Sequence, residues 1–318
     1  MRSLFVMDPL DRLNLVGDST YMLMREATDR GWPCWWCTPD ALYATEGRAF
    51  ARAHPVRTTA NPPAFEVAPA EDRPLADFEL VWMRKDPPFD MAYIFITYLL
   101  EMAPPSTLVL NRPASIRSRN EKLFAFQYPD LTPPTLITRE ASRVVAFAQA
   151  QPDRVVLKPW DGNGGRGVVV THAADRNLRS LVELLTDEGR RCCLVQRHVP
   201  EIVEGDKRIL FADGEPIGAM LRVPGPDDHR GNMHVGATVE ATDLTERDRE
   251  ICARLGPVLR AEGLLFVGID VIGRWLTEIN VTSPTGIQEI NRLNGGRLEA
   301  VVMDAAMARW QRECRVSA

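Results

Sequence analysis

The chain switches repeatedly between two hydrophobic periodicities, and the switches mark out its elements. Short apolar runs at "LFVMD" (4–8), "LVWMR" (80–84) and "TLVLN" (107–111) read as buried strands. Between them a helical pattern from Asp18 to Arg30 stops at Gly31, and "FDMAYIFITYLLEM" (89–102) carries a second helix. The first 121 residues therefore predict a parallel α/β unit. A new unit opens at "NRPASIRSRNEKLFAF" (111–126) and runs on through a strand at Thr135 to Thr138, a helix at Ser142 to Gln149 and a glycine-rich stretch. A helix at Leu178 to Leu185 and a strand in "CCLVQRHV" (192–199) follow.

"KRILFADGEPIGAML" (207–221) predicts two strands joined at Asp213-Gly214, a strong hairpin signal. From Val223 to Thr242 apolar residues are sparse and aperiodic, which predicts a long loop, functional or mobile. Beyond it come a helix in "LTERDREICARLGPVLRAEG" and strands in "LLFVGIDVIG" and "WLTEINVTSP". A C-terminal helix would carry Val301, Val302, Ala305 and Ala308 on one stripe. The fold class is α/β in the broad sense (α+β), built from several subdomains, because 318 residues exceed what one core usually spans.

The stretch "VVLKPWDGNGGRGVVV" (155–170) decides between two kinds of nucleotide site. Gly162, Gly164 and Gly167 match the GxGxxG dinucleotide fingerprint, but that fingerprint works only where the glycines open a helix. Here a β-branched run, Val168 to Thr171, follows, so the stretch reads as strand, turn, strand. Such a hairpin can lay backbone amides over a phosphate beside the charge of Lys158. From this stretch alone, a plain surface hairpin is an equal reading.

Composition removes several classes. A net charge of -5 with no long run of like charge argues against a nucleic-acid partner. The N-terminal apolar run is too short for a signal segment and nothing approaches a membrane span, so a cytoplasmic chain is expected. Cys34 and Cys37 form CxxC, yet no second pair at zinc spacing exists, and a strand would point them to opposite faces as buried thiols. No HExxH or GxSxG motif is present.

The densest chemistry lies in "GIDVIGRWLTEIN" (268–280). Glu278 and Asn280 leave the same face of a strand, and a three-residue loop at Gly273 to Trp275 would set Asp270 opposite Glu278. A two-residue turn would pair Asp270 with Thr277 and separate the carboxylates. Two carboxylates and an amide oxygen suit Mg²⁺, whose other positions go to water and phosphate. Calcium would want more ligands, and a solvent-facing polar edge fits poorly with the apolar opposite face of Ile269, Val271, Ile279 and Val281. Lys122, Lys158, Arg208 and Arg222 each suit a solvated face, but together they suggest an ATP cleft between two sheets.

"MRKDPPFD", "NEKLF", "LKPWDGNGGRG", "GDKRIL" and "FVGIDVIGRWLTEINVTSPTGIQEI" occur in the order and spacing of prokaryotic glutathione synthetases, so the chain resembles that ATP-grasp family over nearly its whole length. The resemblance implies a substrate-binding α/β domain at 1–121, a lid domain at 122–200 and a C-terminal domain at 201–318. It implies that Lys122 and Lys158 meet nucleotide phosphates, that Gly162, Gly164, Gly165 and Gly167 form a small lid, and that Gln196, His198 and Val199 border the adenine. Asp206 and Asn280 would also contact nucleotide. Arg208, Arg222 and Arg230 would serve catalysis, and Asp270, Glu278 and Asn280 would hold Mg²⁺ or its substitute Mn²⁺. The implied reaction joins γ-glutamylcysteine to glycine through an acyl phosphate, consuming ATP as co-substrate, in a homodimer or homotetramer. A ligase for another acid or amine and a regulatory nucleotide binder are the alternatives. One stretch and two single positions depart from the family pattern: "MHVGATV" (233–239) replaces an Ala-Ala-Gly-Gly stretch, Gly17 a lysine and Gly286 a cysteine.

Overall fold

Inward-facing positions at period two build three sheets, seen in a computed structural model that describes residues 1–59, 62–162, 165–225 and 238–314. The first sheet holds β1 (Ser3–Val6), β2 (Cys34–Cys37), β3 (Leu42–Thr45), β4 (Arg48–Thr58), β5 (Phe65–Val67), β6 (Glu71–Pro74), β7 (Leu80–Met83) and β8 (Leu108–Leu110). Its order is β3-β4-β2-β1-β7-β8, with β5 and β6 also on β4. The strands β2, β1, β7 and β8 run parallel. Around β4 the pairing is antiparallel, which corrects the expectation of a wholly parallel unit. The inward positions of β4 are Ala49, Ala51, Ala53 and Val56, and alanine carries little strand signal, so the period stays hidden in the sequence.

Helices α1 (Ser19–Asp29) and α2 (Met91–Glu101) cover the first sheet, each capped by the preceding aspartate, Asp18 on the Tyr21 amide and Asp90 on the Tyr93 amide. Cys34 and Cys37 do face opposite ways, one into each of the two cores flanking the sheet, and burial pushes both thiols up to about 12.

Two short helices, α3 (Pro113–Ser118) and α4 (Glu121–Phe126), lead to the second sheet. It is antiparallel, ordered β11 (Val169–His172), β10 (Arg154–Pro159), β12 (Cys193–Arg197), β9 (Thr135–Thr138). Val155, Leu157 and Val195 point into a small core shared with α5 (Ala141–Gln149) and α6 (Leu178–Leu185).

The third sheet is β15 (Thr238–Ala241), β14 (Glu215–Val223), β13 (Asp206–Ala212), β16 (Phe266–Ile272) and β17 (Trp275–Asn280). Strand β15 lies within the stretch expected to be loop. Its side chains are mostly exposed, so no apolar alternation announces it, and its backbone pairing to β14 holds it. The remainder of that stretch, 226–237, is outside the described residues.

One face of this sheet packs Ile209, Phe211, Ile269 and Ile279 against α7 (Glu246–Ala261). Through Leu210, Met220 and Phe266 the sheet also shares a core with Phe5, Trp82 and Leu23 of the first unit, completed by α8 (Ile287–Asn294) and α9 (Leu298–Glu313). Asn111 stitches the units further, its amide donating to the carbonyls of Phe266 and Val281 and accepting from the Phe266 amide.

In α9 the buried stripe is Leu298, Glu299, Val302, Met303, Ala306 and Arg309, while Val301 is exposed. The expected stripe is rotated because buried Arg309, paired to Asp213 at 2.8 Å, counts as polar in the sequence pattern. No helix among the described residues is long and apolar enough to cross a membrane.

The Asp213-Gly214 hairpin is confirmed, with positive φ at both residues, and it presses onto α7. A Cβ at Gly256 would lie 2.3 Å from the Gly214 carbonyl oxygen. Gly256→Ala should therefore cost about 1–3 kcal/mol despite alanine's better helix propensity. A lowered Tm in calorimetry is expected, and a raised Tm would contradict this packing.

Candidate active site

The second and third sheets face each other across a cleft with a cavity volume of about 210 Å³. Strand alternation chooses its lining. With Val155 and Leu157 committed to the second sheet's core, Val156 and Lys158 must face the cleft, and the register adds Val170 and Gln196 beside Val156. On the third sheet the register aligns Arg208, Asp270 and Glu278 in one rung, with Arg222 opposite Asp206 on the neighbouring pair of strands.

Asp270 and Glu278 meet by a route other than a three-residue loop. Ile272 pairs with Trp275 around a two-residue turn, Gly273-Arg274, and Val271 pairs with Leu276. Thr277 is then passed over as a bulge, its hydroxyl donating to the Asp270 carbonyl at 3.1 Å, and the register shift restores Asp270 opposite Glu278. A two-residue turn alone would have failed; turn plus bulge succeeds.

Charges in the cleft are closely paired. Arg208 grips Asp270 bidentately at 2.5 and 3.0 Å, and Arg222 reaches Asp270 at 2.9 Å and Asp206 at 2.6 Å. Asn280 donates to Asp270 at 3.2 Å. Lys122 pairs with Glu278 at 3.0 Å and also donates to the Gly162 carbonyl, while Lys158 donates to Gln196 at 3.0 Å. Burial would raise the Asp270 carboxyl, but the Arg208 and Arg222 guanidiniums overcome this and hold it well below the usual carboxylate range. Burial opposes the charge on Lys122, yet the Glu278 carboxylate wins and raises its pKa. Lys158 is lowered by burial.

Of the residues expected at the site, Lys122, Lys158, Gly162, Gly165, Gln196, His198, Val199, Asp206, Arg208, Arg222, Asp270, Glu278 and Asn280 all line this cleft. Gly167 does not; it sits in the same hairpin with φ +71, its Cβ position against Pro159. Gly164 and Arg230 lie outside the described residues. The antiparallel pairing of β10 and β11 across the glycines confirms strand, turn, strand and excludes the dinucleotide fingerprint. Reasoning from sequence missed the apolar walls, Val156, Val170, Ile202 and Ile272, although alternation around Lys158 pointed to Val156.

It also missed Glu121 and Arg84. Burial raises the Glu121 carboxyl, the Glu278 charge adds to this, and the Thr282 hydroxyl donates to it at 2.7 Å. Arg84 is buried where the strand order of the first sheet reverses, at the carboxyl ends of β1 and β7, and donates to Thr20 and to the Pro284 carbonyl.

A divalent cation fits this donor set. Among the described residues no cluster of three or more Asp, Glu, His or Cys side chains forms a metal cage, and the set here is two carboxylates and an amide. Such a set leaves coordination positions for phosphate oxygens and water. Among the described residues Asp206 Oδ1 and Arg222 Nε are buried without partners, leaving an acceptor and a donor on the cleft floor.

Two opposed antiparallel sheets, a glycine hairpin beside two cleft-lining lysines and a rung of arginine and carboxylate define an ATP-grasp ligase. A RimK domain ATP-grasp protein from Sphaerobacter thermophilus DSM 20745 shares this fold, with a TM-score of 0.61 at 16% identity over 96% of this chain and 100% of that one. A D-cycloserine synthetase does too, with a TM-score of 0.64 at 16% identity over 98% and 99%. The chain belongs to the prokaryotic glutathione synthetase family, whose N-terminal domain model matches residues 1–117 and whose ATP-grasp domain model matches residues 121–295. It is 45% identical over 310 residues to the glutathione synthetase of Thermosynechococcus vestitus, covering 94% of this chain and 97% of the relative. To that of Parasynechococcus marenigrum it is 48% identical over 294 residues, covering 92% and 94%. The chain is thus an ATP-dependent ligase that forms a peptide C–N bond, in a family that works with a divalent metal.

Asp270→Asn would leave Arg208 and Arg222 buried with most of their countercharge gone. The ligand-free protein should lose about 3 kcal/mol of stability, read as a fall in the urea midpoint. An unchanged midpoint would mean that the three charges are not energetically linked.

Proposed function

We propose that the chain joins γ-glutamylcysteine to glycine, giving glutathione, ADP and phosphate. The observation that carries this reading is the rung of Arg208, Asp270 and Glu278 beneath buried Lys122 and half-buried Lys158, in a chain so close to named glutathione synthetases. A carboxylate resists attack by an amine. The donor carboxylate oxygen therefore attacks the γ-phosphorus of ATP, ADP leaves, and the resulting acyl phosphate loses phosphate when the amine nitrogen attacks its carbonyl carbon and sheds a proton. Such chemistry asks for positioning and charge neutralisation rather than a protein nucleophile.

Lys122, Lys158, Arg208 and Arg222 supply the positive charge around the phosphates, and the family resemblance assigns a catalytic role to Arg230, which lies outside the described residues. The apolar walls at Val156, Val170 and Ile202, with Gln196, His198 and Val199, receive the adenine, and the glycine hairpin covers the phosphates. Asp270, Glu278 and Asn280 hold Mg²⁺, or Mn²⁺ in its place, which neutralises phosphate charge when bound. The small cavity lined by Pro87, Phe89, Glu121 and Thr282 adjoins the cleft at Lys122 and Gly162 and receives the donor acid. The enzyme works in the cytoplasm.

The acceptor rests on "MHVGATV", of which only Thr238 and Val239 are described, on β15 opposite Val223 and Arg222. A glycine site excludes larger amines by filling the space at the α-carbon, each methylene being worth about 1–3 kcal/mol. ADP release with γ-glutamylcysteine should be fastest with glycine, with kcat/KM for alanine, serine and β-alanine lower by about tenfold or more. Preference for another amine over glycine would replace glutathione with a different peptide product, and no ADP release with any acid and amine would make the chain a nucleotide-binding regulator.

A further inference from the structure

The small cavity beside the ATP cleft is built by two units of the fold. Pro87 and Phe89, which follow β7, wall it from the first unit, and Trp160 of the glycine hairpin walls it from the lid, with Glu121 and Thr282 completing it. It meets the cleft at Lys122 and Gly162, the end assigned to the phosphates. Another cavity, at Arg154 and Trp275, also adjoins the cleft, but it does so at His198 and Val199, where the adenine is received. The side chain of the donor's last residue branches from the carbon that bears the reacting carboxylate, so its subsite must border the phosphate end. Of the two cavities, only the first does.

Size limits the occupant. The cavity volume is about 20 Å³, and a single water-sized group takes roughly 10–15 Å³. One group beyond a β-carbon fits, whereas a branched chain or a whole amino acid does not. Its chemistry is limited too, because Thr282 already gives its hydroxyl to Glu121, Asn120 its amide to the Trp160 carbonyl, and Lys122 its ammonium to Glu278 and the Gly162 carbonyl. These three donors are committed, which favours a group that needs no strong hydrogen bond. A thiol meets that condition and gains from contact with aromatic rings. Two such rings stand here. Phe89 is steadied by Tyr93 at 5.1 Å between centroids, and Trp160, at the next position in the period of cleft-facing Val156 and Lys158, keeps 39% of its surface open to an occupant. We infer that this cavity is the subsite for the side chain of the donor's last residue, that Phe89 and Trp160 form its walls, and that it selects a thiol or a group of thiol size. The inference rests on the γ-glutamylcysteine reading and narrows it: the cysteinyl side chain enters the cavity, and the γ-glutamyl part stays outside.

Rates of ADP release with ATP and glycine, measured over a series of γ-glutamyl donors, test this. With the wild type, kcat/KM for γ-glutamyl-2-aminobutyrate, whose methyl replaces the thiol, should stay within about threefold of that for γ-glutamylcysteine, and γ-glutamylleucine should fall about tenfold or more below it. Trp160→Ala and Phe89→Ala each open the cavity from a different unit. Each should bring γ-glutamylleucine to within about threefold of γ-glutamylcysteine, through KM for the donor rather than KM for ATP. A wild type that takes γ-glutamylleucine as readily as γ-glutamylcysteine would overturn the inference. So would both variants, folded by circular dichroism, keeping the wild-type preference; in either case turnover with γ-glutamylcysteine leaves the glutathione reading standing. No ADP release with any γ-glutamyl donor would overturn both.

Discussion

One buried carboxylate, Asp270, organises the cleft. Two guanidiniums and an amide converge on it, from β13, β14 and β17, and together they join four adjacent strands of the third sheet into one charged layer. Such a cluster is costly to desolvate, and its partners recover that cost only while all of them are in place. The layer depends in turn on the bulge at Thr277, since without the extra residue Glu278 would turn into the core packed against α7. The geometry of the cleft and the strand register are thus the same constraint.

Lys122 carries that constraint to the second sheet. It stands on α4, between the two sheets, and its ammonium bridges Glu278 of the third sheet and the Gly162 carbonyl of the glycine hairpin. Within the cleft Glu278 pairs with Lys122, and Asp270 pairs with both arginines. This mutual pairing is how four cations and three carboxylates can share so small a space.

Much of this was legible in the sequence. The β-branched run after Gly167 announced a strand, Asp213-Gly214 announced its hairpin, and the alternation of Asp270 with Ile269 and Val271 announced a one-sided strand. The motifs shared with glutathione synthetases named the family outright. What stayed hidden has physical reasons. The bulge at Thr277 is set by tertiary pairing and leaves no local sequence signal. Strand β4 hid behind alanines, and β15 is an edge whose side chains face solvent. The stripe of α9 was misjudged because Arg309 is buried by a partner distant in sequence, Asp213. Glu121 and Arg84 became visible only when Thr282 and Pro284 came beside them.

The central claim is that the charged rung serves to move the γ-phosphoryl group of ATP onto the donor carboxylate. Incubating the protein with ATP, glycine and γ-glutamylcysteine labelled with oxygen-18 in the reacting carboxylate tests it most directly. Mass spectrometry of the products should find one labelled oxygen in inorganic phosphate for each peptide bond made, with ADP unlabelled. Label appearing in AMP would mean adenylation of the donor, and phosphate free of label would mean that no acyl phosphate forms; either result would contradict the account.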